Sequence, residues 1–101
     1  MVKRVRGSRT GRPIMVLLDL LGRRWVLRIV WELRDEPLRF RDLQAAIGAS
    51  PTIVNTRLAE LREAGLVELD PDHGYRLTTL GRELLELFLP LHRWAERWAE
   101  R

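Results

Sequence analysis

The sequence predicts a mainly α, α+β domain, and three observations point there. Apolar residues recur at helical spacing through most of the chain. One short stretch, 66–78, reads instead as two strands around a turn rich in aspartate, proline and glycine. Ahead of it, two helical segments are separated only by Gly48-Ala49-Ser50. Helix, tight loop, helix and hairpin is the order of a winged helix-turn-helix, so that motif is expected over 13–101, flanked by a helix at each end.

Residues 1–12 stand apart in charge. They hold Lys3, Arg4, Arg6, Arg9 and Arg12 and no acid, while the whole chain has 18 basic and 14 acidic residues, so the remainder is close to neutral. With Gly7, Ser8, Thr10 and Gly11 among them, they are expected to form a mobile basic arm. Such an arm can lie on nucleic-acid phosphates or merely solubilise a terminus, and charge alone does not separate the two.

Pro13 suits a first helical position, and Ile14, Leu17, Leu18 and Leu21 follow on one face of a helix over 13–21. Gly22 is expected to close it in the conformation glycine takes most easily. A second helix is expected over 23–34, with Trp25, Val26, Ile29, Val30 and Leu33 as its apolar face and Asp35-Glu36-Pro37 as its stop. Leu38-Arg39-Phe40 has extended character. A brief helix over 41–47 turns Leu43, Ala46 and Ile47 inward. The clearest helix start comes next: Ser50 as cap, Pro51 at the first position, then Val54, Leu58 and Leu61 along one face of 51–64, closed by Gly65. In the hairpin, 66–69 alternates, Asp70-Pro71-Asp72-His73-Gly74 turns and 75–77 returns. Thr78 or Thr79 caps a last helix over 80–100. Its Leu84, Leu87, Phe88, Leu91, Trp94 and Trp98 recur about every 3.5 residues. Pro90 inside it is expected to kink or split it.

If Val54, Leu58 and Leu61 face the core, the other side of 51–64 is open to solvent. Thr52, Asn55 and Thr56 can then hydrogen-bond base edges in a major groove, and Ile53 can touch a thymine methyl. The helix start at Ser50 and Pro51 favours a phosphate, and Arg57, to one side, suits another. His73 and Arg76 are the wing's candidate contacts, and Arg24 and Arg39 complete the expected DNA-contacting set. The plainer reading makes these ordinary exposed polar residues.

From about Pro13 to Trp98 the chain resembles the HxlR-type winged helix-turn-helix regulators, relatives of the MarR regulators. The resemblance rests on Asp19-Leu20-Leu21-Gly22-Arg23-Arg24-Trp25, Pro37-Leu38-Arg39-Phe40, Ser50-Pro51, Arg57-Leu58-Ala59-Glu60-Leu61, Ala64-Gly65-Leu66-Val67 and Tyr75-Arg76-Leu77-Thr78-Thr79-Leu80-Gly81, in that order. It implies a cytoplasmic bacterial or archaeal homodimer that regulates transcription by binding double-stranded DNA, with the first and last helices forming the dimer interface. Departures from the pattern also matter. Arg12 stands where members often carry a cysteine, and with no cysteine in the sequence thiol sensing is excluded. Thr52 stands where lysine is usual, Glu60 and Glu63 make the reading helix less basic, and Asp70 and Asp72 make the short wing acidic. The basic arm could offset the lost charge.

Two tryptophans four residues apart near the end are too much apolar surface for a solvated helix face. Leu84, Leu87, Phe88, Leu91, Trp94 and Trp98 are therefore expected to meet a second copy, together with Ile14, Leu17, Leu18 and Leu21. A two-fold dimer would hold its reading helices about 34 Å apart and prefer a palindromic operator. Repression is the expected outcome. An unidentified apolar effector could bind near Trp25, Trp31 and Phe88, against the plainer reading of those residues as core. No cofactor, metal or membrane span is expected. Catalysis is not expected either: His73 and His92 lie far apart, no phosphate-binding glycine loop is present, and the carboxylates fall at helical spacing from arginines, as Glu32 does from Arg28. The competing reading is a winged-helix module that binds protein and not DNA, favoured by the acidic wing.

Overall fold

The computed structural model describes residues 11–101, so the expected arm lies outside the described residues except for Gly11 and Arg12. Five helices and one hairpin follow in the order α1 (Pro13–Leu21), α2 (Val26–Glu32), α3 (Phe40–Ile47), α4 (Pro51–Glu63), β1 (Val67–Asp70), β2 (Gly74–Leu77) and α5 (Thr79–Glu100). This is a mostly helical winged helix-turn-helix, as expected.

The core lies where α2, α3, α4 and the hairpin converge. Val26, Ile29, Val30 and Leu33 of α2 and its end are wholly buried against Leu43 and Ile47 of α3 and Val54, Leu58 and Leu61 of α4. Burying each such aliphatic side chain contributes about 1.5–3 kcal/mol, which decides the side of α4 that faces inward. Ser50 caps α4 by accepting the Ile53 N–H at 3.3 Å, and Gly48 leaves α3 at φ +79 to make the tight loop. Ala46, expected inward, is exposed, and Ala49 of the loop is buried in its place, because the glycine turn carries the chain back over the core.

The second helix is shorter than expected. Gly22 keeps a right-handed conformation, and it is Trp25 that turns left-handed, at φ 79, so α2 begins only at Val26. A left-handed non-glycine residue carries no local sequence signal. At Gly22 a Cβ would lie 3.1 Å from the Leu18 carbonyl oxygen, a tight approach.

In the wing, Val67 pairs with Leu77 and Leu69 with Tyr75. Leu69 shares the face of Val67, but two pairs nearer the tip the hairpin has left the core, so Leu69 is exposed and the expected alternation is broken. Leu38 adds a one-residue bridge: it exchanges both backbone hydrogen bonds with Tyr75, at 2.9 and 2.8 Å. Gly74, at φ +101, makes this close approach feasible, because a Cβ there would come within 2.5 Å of the Leu38 carbonyl oxygen. Phe40, expected extended, opens α3 instead.

Thr78 sets the start of α5. Its N–H donates to the Leu66 carbonyl, its hydroxyl donates to the Gly65 carbonyl at 2.6 Å, and its oxygen accepts from the Gly81 N–H. The helix then runs unbroken through Pro90 to Glu100. The proline removes a single donor while the flanking turns keep their bonds, so no split occurs.

Candidate nucleic-acid interface

The outer face of α4 is built by elimination. With Val54, Leu58 and Leu61 buried, Thr52, Ile53, Asn55, Thr56 and Ala59 are left exposed on the first turns, beside exposed Ser50 and Pro51 at the helix start. The Thr56 hydroxyl donates to the Thr52 carbonyl at 2.9 Å. With its hydrogen committed there, the hydroxyl can accept from an outside group but not donate to one, unlike the two-way partner its residue type allows. Asn55 carries both a donor and an acceptor, the pair that adenine matches in the major groove. The helix N-terminus adds backbone N–H groups suited to a phosphate.

The basic residues expected on this surface are engaged to different degrees. Arg57 is mostly buried, donating through Nε to the Arg24 carbonyl at 2.9 Å and through Nη1 to Glu60 at 2.8 Å. Nε and Nη1 of Arg57, expected at a phosphate, are thus tied within the chain. Arg76 bridges Glu68 at 2.7 Å and Asp70 at 2.8 Å across the hairpin. The Glu68 hydrogen bond raises the Arg76 pKa above its ordinary value. The Asp70 carboxyl is held below the usual carboxylate value, first by the Asp72 backbone N–H, then by His73 and Arg76, against a partial opposing effect of burial. Arg39 donates to the Asp72 carbonyl and so ties the start of α3 to the wing tip. Arg24 is exposed, with its guanidinium 4.7 Å from the Trp25 ring centre, and His73 is exposed beside Asp70 at 3.4 Å.

Sequence reasoning missed Glu60, which it placed among the charges that weaken the reading helix. The structure turns this carboxylate sideways, where its two oxygens take Arg57 and, at 2.6 Å, Arg23 from the corner between α1 and α2. The i,i+3 spacing of Arg57 and Glu60 signals half of that arrangement. The reach to Arg23 depends on how the corner folds over α4.

Comparison with known proteins settles the family. A family model described as HxlR-like helix-turn-helix matches residues 20–101. The chain belongs to the HxlR-like helix-turn-helix family. HTH-type transcriptional regulators of Mycobacterium bovis and Mycobacterium tuberculosis are 34% identical to it over 97% of its length, and the chain spans 63% of theirs. The crystal structure of quinone-bound YodB from Bacillus subtilis is 33% identical and superposes with a TM-score of 0.76 over 85% of this chain and 98% of that one. A MarR-family regulator structure from Enterococcus faecalis, 24% identical, shares the fold with a TM-score of 0.75 over 97% of this chain and 96% of that one.

This HxlR-type chain thus carries the helix-turn-helix of its family, with α3 and α4 as the two helices of that motif. Among the described residues of the HxlR-type chain, no helix is long and apolar enough to cross a membrane, and no cluster of three or more metal-ligating side chains is present.

The dimer-interface residues expected of an HxlR-type chain fall into two groups. Leu21, Leu84 and Phe88 pack partly against the chain's own core. Leu87 is 78% exposed, Trp94 50% and Trp98 51%, and Leu91, Ile14 and Leu18 are exposed as well, while Leu17 is half-buried. Trp94 and Trp98 stack on one another at 6.0 Å, and neither reaches the core. Near the expected effector position, Trp31 is covered by His92 at 5.4 Å and by Arg34 at 4.2 Å, and Phe88 packs on the core, which favours the plainer reading of these rings.

Proposed function

We propose that this regulator reads a palindromic operator as a homodimer, laying α4 of each subunit in a major groove and repressing transcription in the cytoplasm. The observation that carries the reading is the split of α4: its aliphatic side is wholly buried, and Thr52, Asn55 and Thr56 are left outward. The unpartnered row Leu87, Leu91, Trp94 and Trp98 on α5, with Ile14 and Leu18 on α1, supports the homodimer, since so much exposed apolar surface suits a second copy better than water. Lys3, Arg4, Arg6, Arg9 and Arg12 would add phosphate neutralisation beside the groove.

A mobility-shift titration tests the reading. Binding to random duplex at low salt should fall steeply as salt rises. On a duplex enriched from a random pool, Asn55→Ala should cost about 1–3 kcal/mol of discrimination with little change in the salt slope. Loss of affinity equal on all sequences would remove Asn55 from base reading.

A second reading has one observation in its favour. Arg76, the wing's arginine, is paired with both Glu68 and Asp70 within the hairpin, and Asp72 adds a further acid at its tip. A winged helix used only for protein contacts would show no low-salt affinity for random duplex.

A further inference from the structure

Three charged side chains, Arg23, Glu60 and Arg57, join the corner between α1 and α2 to the middle of α4. We propose that this clasp is a positioning device: it locks the corner bearing Arg24 to the reading helix, so that both meet duplex DNA in one register, and it thereby sets how sharply operator is told from other sequence. The proposal rests on the DNA-reading function proposed above.

Burial of Val54, Leu58 and Leu61 decides which side of α4 faces inward. Apolar contact is non-directional, however, and leaves small rotations and slides of the helix weakly opposed. Charge-assisted hydrogen bonds are short and directional, and here they supply what the core does not. Glu60 spends one oxygen on Arg23 at 2.6 Å and the other on Arg57 at 2.8 Å. Arg57 turns a second edge of its fork to the Arg24 carbonyl at 2.9 Å. A lysine could not hold both partners in that plane. The three side chains are 22%, 24% and 21% exposed, so solvent screens them less than a surface pair.

The corner needs holding. Trp25 is the only non-glycine residue at positive φ among the described residues, and such a conformation persists only where its surroundings impose it. Arg57 grips the carbonyl immediately before it. The same corner leads directly out of α1, whose Ile14 and Leu18 are exposed, so a second copy seated on α1 would be coupled through the clasp to α4.

Electrostatics alone makes the opposite prediction, which gives the test its force. If Glu60 were simply an acidic charge near DNA, Glu60→Gln would tighten binding to every duplex. The clasp requires weaker binding to the operator alone.

The experiment uses the full chain and two probes of equal length: a duplex enriched by the wild-type protein from a random pool, and its scrambled counterpart. Fluorescence anisotropy gives both affinities for wild type, Glu60→Gln and Arg23→Lys, with helix content checked by circular dichroism. Glu60→Gln should lower the ratio of the two affinities about tenfold, with the scrambled duplex bound equally well or better. Arg23→Lys, which keeps the charge but replaces the planar guanidinium that meets Glu60 with a compact, strongly hydrated ammonium, should shift the ratio in the same direction by a smaller factor. An unchanged ratio, or parallel tightening on both probes, overturns the proposal. Should Glu60→Gln fail to fold, Arg23→Lys decides alone by the same criterion. If the wild type enriches no duplex, the DNA-reading function itself falls first, an outcome distinct from an unchanged ratio.

Discussion

Glycine 81 shows how a single atom can reverse an expectation. In a helix interior, alanine is ordinarily about 1 kcal/mol better than glycine. Here a Cβ would lie 2.1 Å from the Leu66 carbonyl oxygen and 3.2 Å from the Leu77 Cβ, where α5 crosses the hairpin. Gly81→Ala should therefore destabilise the domain by about 1–3 kcal/mol, measured as a lower urea midpoint at unchanged slope. A gain in stability would mean that the crossing is looser than its geometry indicates. Thr52 and Asn55 are the opposite case: both are exposed, and their residue types alone recommend them for reading bases. Arg57 and Arg76 were likewise proposed from residue type alone. Their charge was visible in the sequence, but the carboxylates that engage them come from a helical neighbour in one case and the facing strand in the other.

Among the elements, the wing carries a pH dependence whose sign follows from Asp70. Its carboxyl is held below the ordinary 3.8 by the Asp72 N–H before any other cause, so the folded state favours the charged form. The stabilisation is fully present above 3.8 and is lost as pH falls through the lowered value. The stability gap between wild type and Asp70→Ala should accordingly be constant from neutral pH down to mild acid and narrow below that point, as followed by urea midpoints across pH. A gap that widened in acid would contradict the assignment. The hairpin itself was legible from its Asp-Pro-Asp-His-Gly turn, and α4 from Ser50-Pro51 and its aliphatic repeat. The start of α2 was not, because the left-handed Trp25 that delays it is imposed by packing and by the clasp.

At the scale of the whole molecule, the largest exposed apolar surface among the described residues is the later part of α5. If it closes the proposed two-fold assembly, replacing both Trp94 and Trp98 with glutamate should yield a monomer in sedimentation at micromolar concentration. Helix content should stay the same, since neither ring contributes to the core. Loss of two aromatic anchors of this kind costs about 2 kcal/mol or more each at an interface, and operator affinity should fall with the loss of the second reading helix. A double variant that remained dimeric would place the interface elsewhere.

Periodicity and turn chemistry were enough to establish the helices, the wing, the buried side of α4 and hence the class of molecule, because each depends on residues close together along the chain. Which arginines stay available to a duplex, where Glu60 points and why Trp25 takes a backbone angle that usually belongs to glycine depend on groups brought together from 33 and 37 positions apart. Local preference carries no information about such meetings, and they exist only once the core has closed.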